Sequence, residues 1–490
     1  MIKRQYYKID TIICLFLFPF FKPVALYMSN NLFLPTIYFK SLELKNIRCF
    51  SGEQTLDLTN GDDNPAQWTL ILGNNGVGKT TLLQCLAWMT PVPKVDDKNN
   101  TVGIIPAISD AENADFEKLL RNNPEGDSSL CANLTHRIPL TELNLNTKPA
   151  FNIFTKCTFS GKEDGDLNKV SSNGSEDNEL YKDTSNGSEG KHELPLVIAY
   201  GANRQQAISY QDKNYASEDA AKILTGTTKL IDVEDLLNDI HHAAVIEGRE
   251  GEAEKRLSTV KKILSEILPD LSGEDPIKIY GPKLPGSKGP SGVRCITPYS
   301  EVPISALSLG YRTTMGWIVD LAWRLYTKYP KSKNPLSEPA IVLIDEIDLH
   351  LHPLWQRKII TDISVHFPNT QFIATAHSPL MVQSADKANL VVLITEDNHV
   401  RIENNPEFIK GWRVDQILTS DLFGISSARS EAVENSINER YELLKIERNV
   451  DQEQRLKELD KEIQDLPTLS AVKDREVLDF IKRAAEAINK

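Results

Sequence analysis

The sequence predicts an α/β fold: a mixed or parallel sheet core, inserted hairpins, a helical lid and a helical C-terminal tail. Three observations predict it. Residues 68–73 form a short apolar run ending in glycine, and the helix-periodic TLLQCLAWM (81–89) follows at once. Residues 340–344 are apolar throughout, as a strand buried on both faces of a parallel sheet must be. Between 312 and 375 the pattern alternates helix (312–327), strand (339–345), helix (353–367) and strand (370–375), the order of parallel strands joined by helical crossovers.

Around this core the remaining elements fall in order. IYFKSLELK (37–45) alternates as a first strand, and NIRCF and GEQTLDL follow with a turn expected at Ser51-Gly52. The expected units are an N-terminal extension (1–36), a first lobe (37–91), an insertion (92–194), a hairpin and helical lid (195–306), a second lobe (307–400) and a helical C-terminal region (401–490). Within the insertion, about 160–193 is rich in Ser, Asn, Gly, Asp and Glu and repeats Ser-Asn-Gly-Ser-Glu at 172–176 and 185–189. So little apolar surface cannot offset the entropy of ordering, so a disordered loop is expected there. The strands 151–159 and 194–201 are expected to pair across it. Helical patterns cover 231–267, and IKIYG (277–281) with VRCITPY (293–299) reads as a second hairpin. In the tail, Leu456, Leu459, Ile463 and Leu466 keep a 3-4-3 spacing that suits a helical hairpin packing on the core.

Composition narrows the class. The chain has 490 residues, 40% hydrophobic and 25% charged, with a formal charge of −13. That sign argues against coating nucleic acid by charge alone. Its six cysteines form no C-x-x-C pair and its nine histidines no metal-spaced cluster, which fits reduced thiols in a cytoplasmic protein. The pair His350 and His352 reads as part of a polar turn. Near the start, Lys3, Arg4 and Lys8 precede the apolar run 11–21, which is too short to span a bilayer as a helix. With Met28 just before the first domain strand, residues 1–27 are expected to be an upstream start or a dispensable extension, and no membrane association is expected.

Four motifs carry the chemistry. Gly73-Asn74-Asn75-Gly76-Val77-Gly78-Lys79-Thr80 fits G-x-x-x-x-G-K-[ST] between a strand and a helix. Its glycines let successive backbone N–H groups curl around phosphate oxygens, and the helix start, through Thr81, adds its positive end. Lys79 neutralises the β- and γ-phosphates, and Thr80 offers a hydroxyl to Mg²⁺. Asp345 and Glu346 end the apolar strand, where ligands bind in parallel sheets. Asp345 is the expected Mg²⁺ carboxylate and Glu346 the group that orients the attacking water. Leu307-Ser308-Leu309-Gly310-Tyr311-Arg312 opens a helix that Ser308 can cap, a small anion site. Ala374-Thr375-Ala376-His377-Ser378 places a histidine just after the next strand.

In this order the motifs resemble the RecF/SMC/OLD branch of ABC-type ATPases. The resemblance implies ATP and Mg²⁺ as ligands, and a dimer with ATP sandwiched between copies. It implies that Ser308 and Gly310 of one copy reach the γ-phosphate held by the other, although Leu309 departs from the usual small or polar residue. It also implies that His377 contacts the γ-phosphate, and that Arg48, in LELKNIRCF, approaches the nucleotide. Gln205 and Gln206 are alternatives for a metal-sensing glutamine. AYGANR (199–204), LSLGYR (307–312), DEIDLHLHP (345–353) and GWRVDQIL (411–418) together resemble the ATPase subunit of Septu-type antiphage systems, with relatives among retron ATPases. There a separate HNH nuclease is the usual partner, and DNA is met through the complex. No Asp-x-Asp pair follows His377, so a Toprim nuclease within this chain is not expected. Two rival readings are a RecF/SMC-like repair or chromosome-maintenance ATPase that binds DNA directly, and a scaffold that binds ATP without turning it over.

Overall fold

A computed structural model describes residues 37–464, apart from 62, 96–100, 111–119, 122–126, 137–151, 162–166, 175–194, 209–219, 221–223, 225–227, 269, 272, 282–288, 386, 407–410, 421–426, 428 and 448. The N-terminal extension and Leu466 lie outside the described residues.

The centre is a six-stranded sheet of β3 (Trp68–Leu72), β9 (Leu196–Tyr200), β15 (Ala340–Ile344), β16 (Thr370–Ala376), β17 (Asn389–Glu396) and β18 (His399–Asn404), in the order β18-β17-β3-β16-β15-β9. All neighbours are parallel except the hairpin β17–β18. Side chains alternate between its faces, as the two-residue period of a strand requires. Leu70, Leu72, Val342, Ile344, Phe372 and Ala374 enter one apolar layer, whereas Ile71, Ile341, Leu343 and Ile373 enter the other. Burial on both faces explains the unbroken apolar runs.

Helices cover the first face. They include α2 (Val233–Glu247), α3 (Glu252–Ile267), α4 (Leu309–Lys328) and, following the short α5 (Pro353–Gln356), α6 (Ile359–His366). Asp232 caps α2 by accepting from the N–H groups of Glu234 and Asp235. α3 shows its apolar stripe as Leu257, Val260, Ile263, Leu264 and Ile267. On the second face lie α1 (Lys79–Trp88) and a five-stranded antiparallel sheet. That sheet runs β2-β1-β6-β7-β8, with β1 (Ile37–Ile47), β2 (Phe50–Asp57), β6 (Ser128–His136), β7 (Asn152–Gly161) and β8 (Leu167–Gly174). Small sheets complete the fold: β4 (Pro91–Val95) with β5 (Thr101–Pro106), β10 (Arg204–Ile208) with β11 (Thr228–Ile231), and β12 (Ile277–Tyr280) with β13 (Gly292–Ile296) and β14 (Glu301–Pro303).

Several local expectations are corrected. The β1–β2 turn falls at Arg48-Cys49, where Ile47 pairs Phe50, and not at Ser51-Gly52. Arg48 has φ +43° there, so a residue other than glycine takes the left-handed position. Strands 151–159 and 194–201 do not pair: β7 joins β6 and β8, while β9 lies parallel to β15. β9 is buried at its C-terminal half and belongs in the two-faced parallel sheet. Within the stretch expected to be disordered, 167–174 forms β8, an edge strand whose main-chain ladder tolerates polar side chains; 162–166 and 175–194 lie outside the described residues. In the tail, α7 (Pro379–Ser384) and α8 (Val414–Leu418) precede a hairpin of α9 (Glu431–Lys445) and α10 (Val450–Gln464). Leu456 and Leu459 are buried, yet neither joins the two core clusters. Among the described residues the hairpin therefore contributes no buried side chain to the main core clusters.

Candidate active site

The loop between β3 and α1 is shaped by contacts that exclude side chains. Gly76 and Gly78 take φ +80° and +92°, outside the range of most L-residues. A Cβ on Gly78 would stand 2.5 Å from Cys49 Sγ and 3.0 Å from Phe50, so the β1–β2 turn packs directly on the loop. Gly78 caps α1 without a side-chain hydrogen bond, which leaves the first helical N–H groups facing the cleft. Lys79 Nζ donates to the carbonyls of Gly73 (2.8 Å) and Asn74 (2.7 Å), so its ammonium is held over the loop. Burial pulls its pKa down to about 8, against the opposing pull of Asp345, Glu346 and Asp348.

At the end of β15, Asp345 is buried and doubly tied. Its Oδ2 accepts from the Thr80 hydroxyl at 2.8 Å and its Oδ1 from the Thr375 hydroxyl at 2.7 Å. The adjacent oxygens of Thr80 and Asp345 are hard donors suited to Mg²⁺. Glu346 has φ +49°, in the left-handed region. Its N–H donates to Thr375 Oγ1 at 2.7 Å. Arg204 Nη2 donates to the carbonyls of both Asp345 and Glu346. His377 closes the cleft, with Nε2 at 3.8 Å from Glu346 Oε1 and Nδ1 at 3.4 Å from Lys79 Nζ. Its backbone is pinned because Asp348 Oδ2 accepts from the N–H groups of His377 (2.9 Å) and Ser378 (2.7 Å).

The resulting cleft holds about 210 Å³ and is lined by Asn75, Gly76, Gly78, Lys79, Thr80, Thr81, Asp345, Glu346 and His377. Gly73 and Asn74 contribute carbonyls to Lys79 from behind it. Arg48 stands one layer back, donating to Thr81 Oγ1 at 3.0 Å and to Gln84 Oε1 at 3.1 Å, rather than lining the cleft. Ser308 and Gly310 also stand outside it. Ser308 caps α4 by accepting from the Tyr311 N–H, and Leu309 beside it is 51% exposed. Gly310 packs on the turn after the acids, where a Cβ would meet the His350 carbonyl at 2.2 Å. His352 caps α5, accepting from the Leu354 N–H at 3.3 Å, and no group of three or more metal-ligating side chains occurs among the described residues. The side chains of Gln205 and Gln206 lie outside the described set.

A phosphate loop, an acid pair and a histidine from separate segments thus share one cleft on a parallel sheet. An "AAA domain" family model matches residues 41–272. A second AAA-domain model, whose description extends to the AbiEii toxin of type IV toxin–antitoxin systems, matches residues 300–382. The chain carries an AAA ATPase domain similar to that of the Septu protein PtuA. The chain is 23% identical over 414 residues to the Septu protein PtuA of Bacillus mycoides, covering 83% of this chain and 47% of that protein. It is 27% identical over 386 residues to the retron Ec83 probable ATPase of Escherichia coli, covering 66% of each. Over 94 residues it is 44% identical to the retron Vc95 probable ATPase of Vibrio cholerae, 19% of this chain and 18% of that one. The chain thus spans between 18% and 66% of the length of these relatives.

Motif reading missed three residues that shape the ATPase cleft. Thr375 bridges the two acids, Asp348 holds the histidine's backbone, and Arg204 grips the acid-pair backbone. A hydroxyl inside the otherwise apolar run FIATA was a signal for Thr375. Arg204 and Asp348 stand out in the sequence only within AYGANR and DEIDLHLHP.

Proposed function

We propose that the chain binds and hydrolyses ATP between two copies of itself, and so acts as an ATP-dependent switch for a separate HNH-type nuclease in a bacterial antiphage defence complex. One observation carries the ATPase part: Lys79, Thr80, Asp345, Glu346 and His377, drawn from three separated stretches of chain, line one cleft beside a free helix start. The retron and Septu relatives support the defence setting.

Each residue has a chemical task. The loop N–H groups around Asn75 to Lys79 and the start of α1 take the phosphates, and Lys79 neutralises the γ end. Thr80 and Asp345 would hold Mg²⁺, which when bound would supply further charge neutralisation on the phosphate oxygens. Glu346 orients the attacking water and draws off its proton, within reach of the imidazole of His377. Ser308 and Gly310 of a second copy complete the γ-phosphate shell, because neither lines the cleft of its own chain. Two copies closed on ATP differ from two copies after hydrolysis in these γ-phosphate contacts, and that difference is what a partner nuclease reads. DNA is engaged through that complex.

Replacing Glu346 with Gln tests the catalytic assignment. Turnover should fall by about 10²-fold or more while ATP is still bound. Hydrolysis at the wild-type rate would refute the role of Glu346. Adding the nuclease tests the switch: its activity should differ between wild type and E346Q at equal ATP. ATP-dependent, salt-sensitive duplex binding by the chain alone would instead favour the direct DNA-binding reading.

A further inference from the structure

We infer that Arg204 is a positioning residue for hydrolysis, which sets the direction of the Glu346 carboxylate and links it to the β10–β11 ribbon. The inference rests on the catalytic reading of Glu346 and extends it to a residue from another part of the chain.

Glu346 sits at φ +49°, a conformation that costs a non-glycine residue on the order of 1–2 kcal/mol unless its surroundings impose it. The surroundings do impose it. A residue's φ and ψ are fixed once the peptide planes on both sides are fixed. The plane before Glu346 is held at its carbonyl by Arg204 Nη2 and at its N–H by Thr375 Oγ1. The plane after it is held at the Glu346 carbonyl, which accepts from Arg204 Nη2 at 3.2 Å and from the Leu349 N–H at 3.1 Å, and at the Ile347 N–H, which donates to the Thr375 carbonyl at 3.0 Å. One guanidinium nitrogen therefore spans both planes while Nε of the same rigid plane holds the Gly201 carbonyl, and an ammonium on a flexible stem lacks that second, fixed donor.

Arg204 is itself anchored. Its Nε donates to the Gly201 carbonyl at 2.9 Å, and β9 pairs with β15 so that Tyr200 lies opposite Ile344. The Asp345 N–H then donates to the Tyr200 carbonyl at 2.8 Å. This registry delivers Arg204 to the acid pair. Arg204 also opens β10, which pairs in parallel with β11 just before helix α2 of the lid. A displacement of that ribbon moves the guanidinium, and with it the carboxylate, without touching the phosphate loop. Arg204 is absent from the cleft lining, so its removal should leave nucleotide binding intact.

The test compares wild type, R204A, R204K, E346Q and R204A/E346Q in ATP turnover, ATP affinity and thermal stability. R204A should lose about 10- to 100-fold in kcat, the range for residues that orient a catalytic group, with ATP affinity within about threefold of wild type. R204K should fall between R204A and wild type. The double variant should be no slower than E346Q alone, because Arg204 acts through Glu346. Wild-type kcat in R204A, a loss explained by weakened ATP binding, or additive losses in the double variant would overturn the inference. Should R204A fail to fold, R204K, which keeps the buried charge, carries the test: unchanged kcat in a folded R204K would overturn it. If E346Q itself retained full activity, the catalytic reading would fail first; if E346Q is slow and R204A is not, only the Arg204 inference falls.

Discussion

Lys79 sets the pH response of the site. Its folded pKa, about 8, lies below the ordinary 10.5 because burial disfavours the ammonium. In the nucleotide-free chain this group therefore costs stability at neutral pH, and the cost is relieved as pH rises through about 8 towards 10.5. Phosphate reverses the preference, since a triphosphate favours the charged form. ATP affinity should accordingly decline above about pH 8, by up to about tenfold per unit, and calorimetry should record proton uptake on binding there. K79M should bind ATP weakly at every pH and, without nucleotide, should melt at or above the wild-type temperature at pH 7, because the buried charge is gone. A steep pH dependence surviving in K79M would show that another group titrates. The line between legible and illegible residues follows the same physics. Lys79, Thr80, Asp345, Glu346 and His377 announce themselves because each belongs to a short local pattern whose chemistry demands that residue. Thr375 and Arg204 do not, since their roles consist of hydrogen bonds to backbone 29 and 141 residues away and exist only once the sheet is assembled.

Among the elements, α4 is the one whose placement most constrains function. Gly310 rests so closely on the His350 carbonyl that any side chain must lift the helix or distort the turn. That turn also bears Asp348, which pins the backbone of His377, and Gln356 accepts from the Ser378 hydroxyl at 2.7 Å while donating to the carbonyls of Asp348 and Leu351. G310A should therefore slow hydrolysis by about tenfold or more while nucleotide binding by the isolated chain persists, measurable as turnover against ATP affinity. Unchanged turnover would mean that the start of α4 has room to move. The elements themselves were largely legible: apolar runs gave β3, β15 and β16, and the glycine-rich turn gave the start of α1. Strand partners were not. Neighbours in sequence were expected to pair across 160–193, but β9 is apolar enough to be buried on both faces of the parallel sheet, and β7 found partners in β6 and β8.

At the scale of the whole molecule, the central six-stranded sheet carries an apolar layer on each face, and the cleft opens at the C-terminal ends of its strands. A single chain supplies the phosphate loop, acids and histidine to that cleft, but keeps Ser308 and Gly310 outside it. Among the described residues no helix is long and apolar enough to cross a membrane. The order of motifs in the sequence implies a shared site between copies; in one chain Ser308 and Leu309 at the start of α4 are exposed, whereas Gly310 is buried against the turn after the acids.

In-trans complementation measures that sharing most directly. S308R removes the proposed donation to a partner's site but keeps its own phosphate loop, and K79A does the reverse. Each homogeneous variant should be nearly inactive, and mixing the two should restore ATP hydrolysis, because mixed pairs contain one site with both an intact Lys79 and an intact Ser308. Full activity in S308R alone, or no recovery in the mixture although the chains associate, would contradict a site built from two copies.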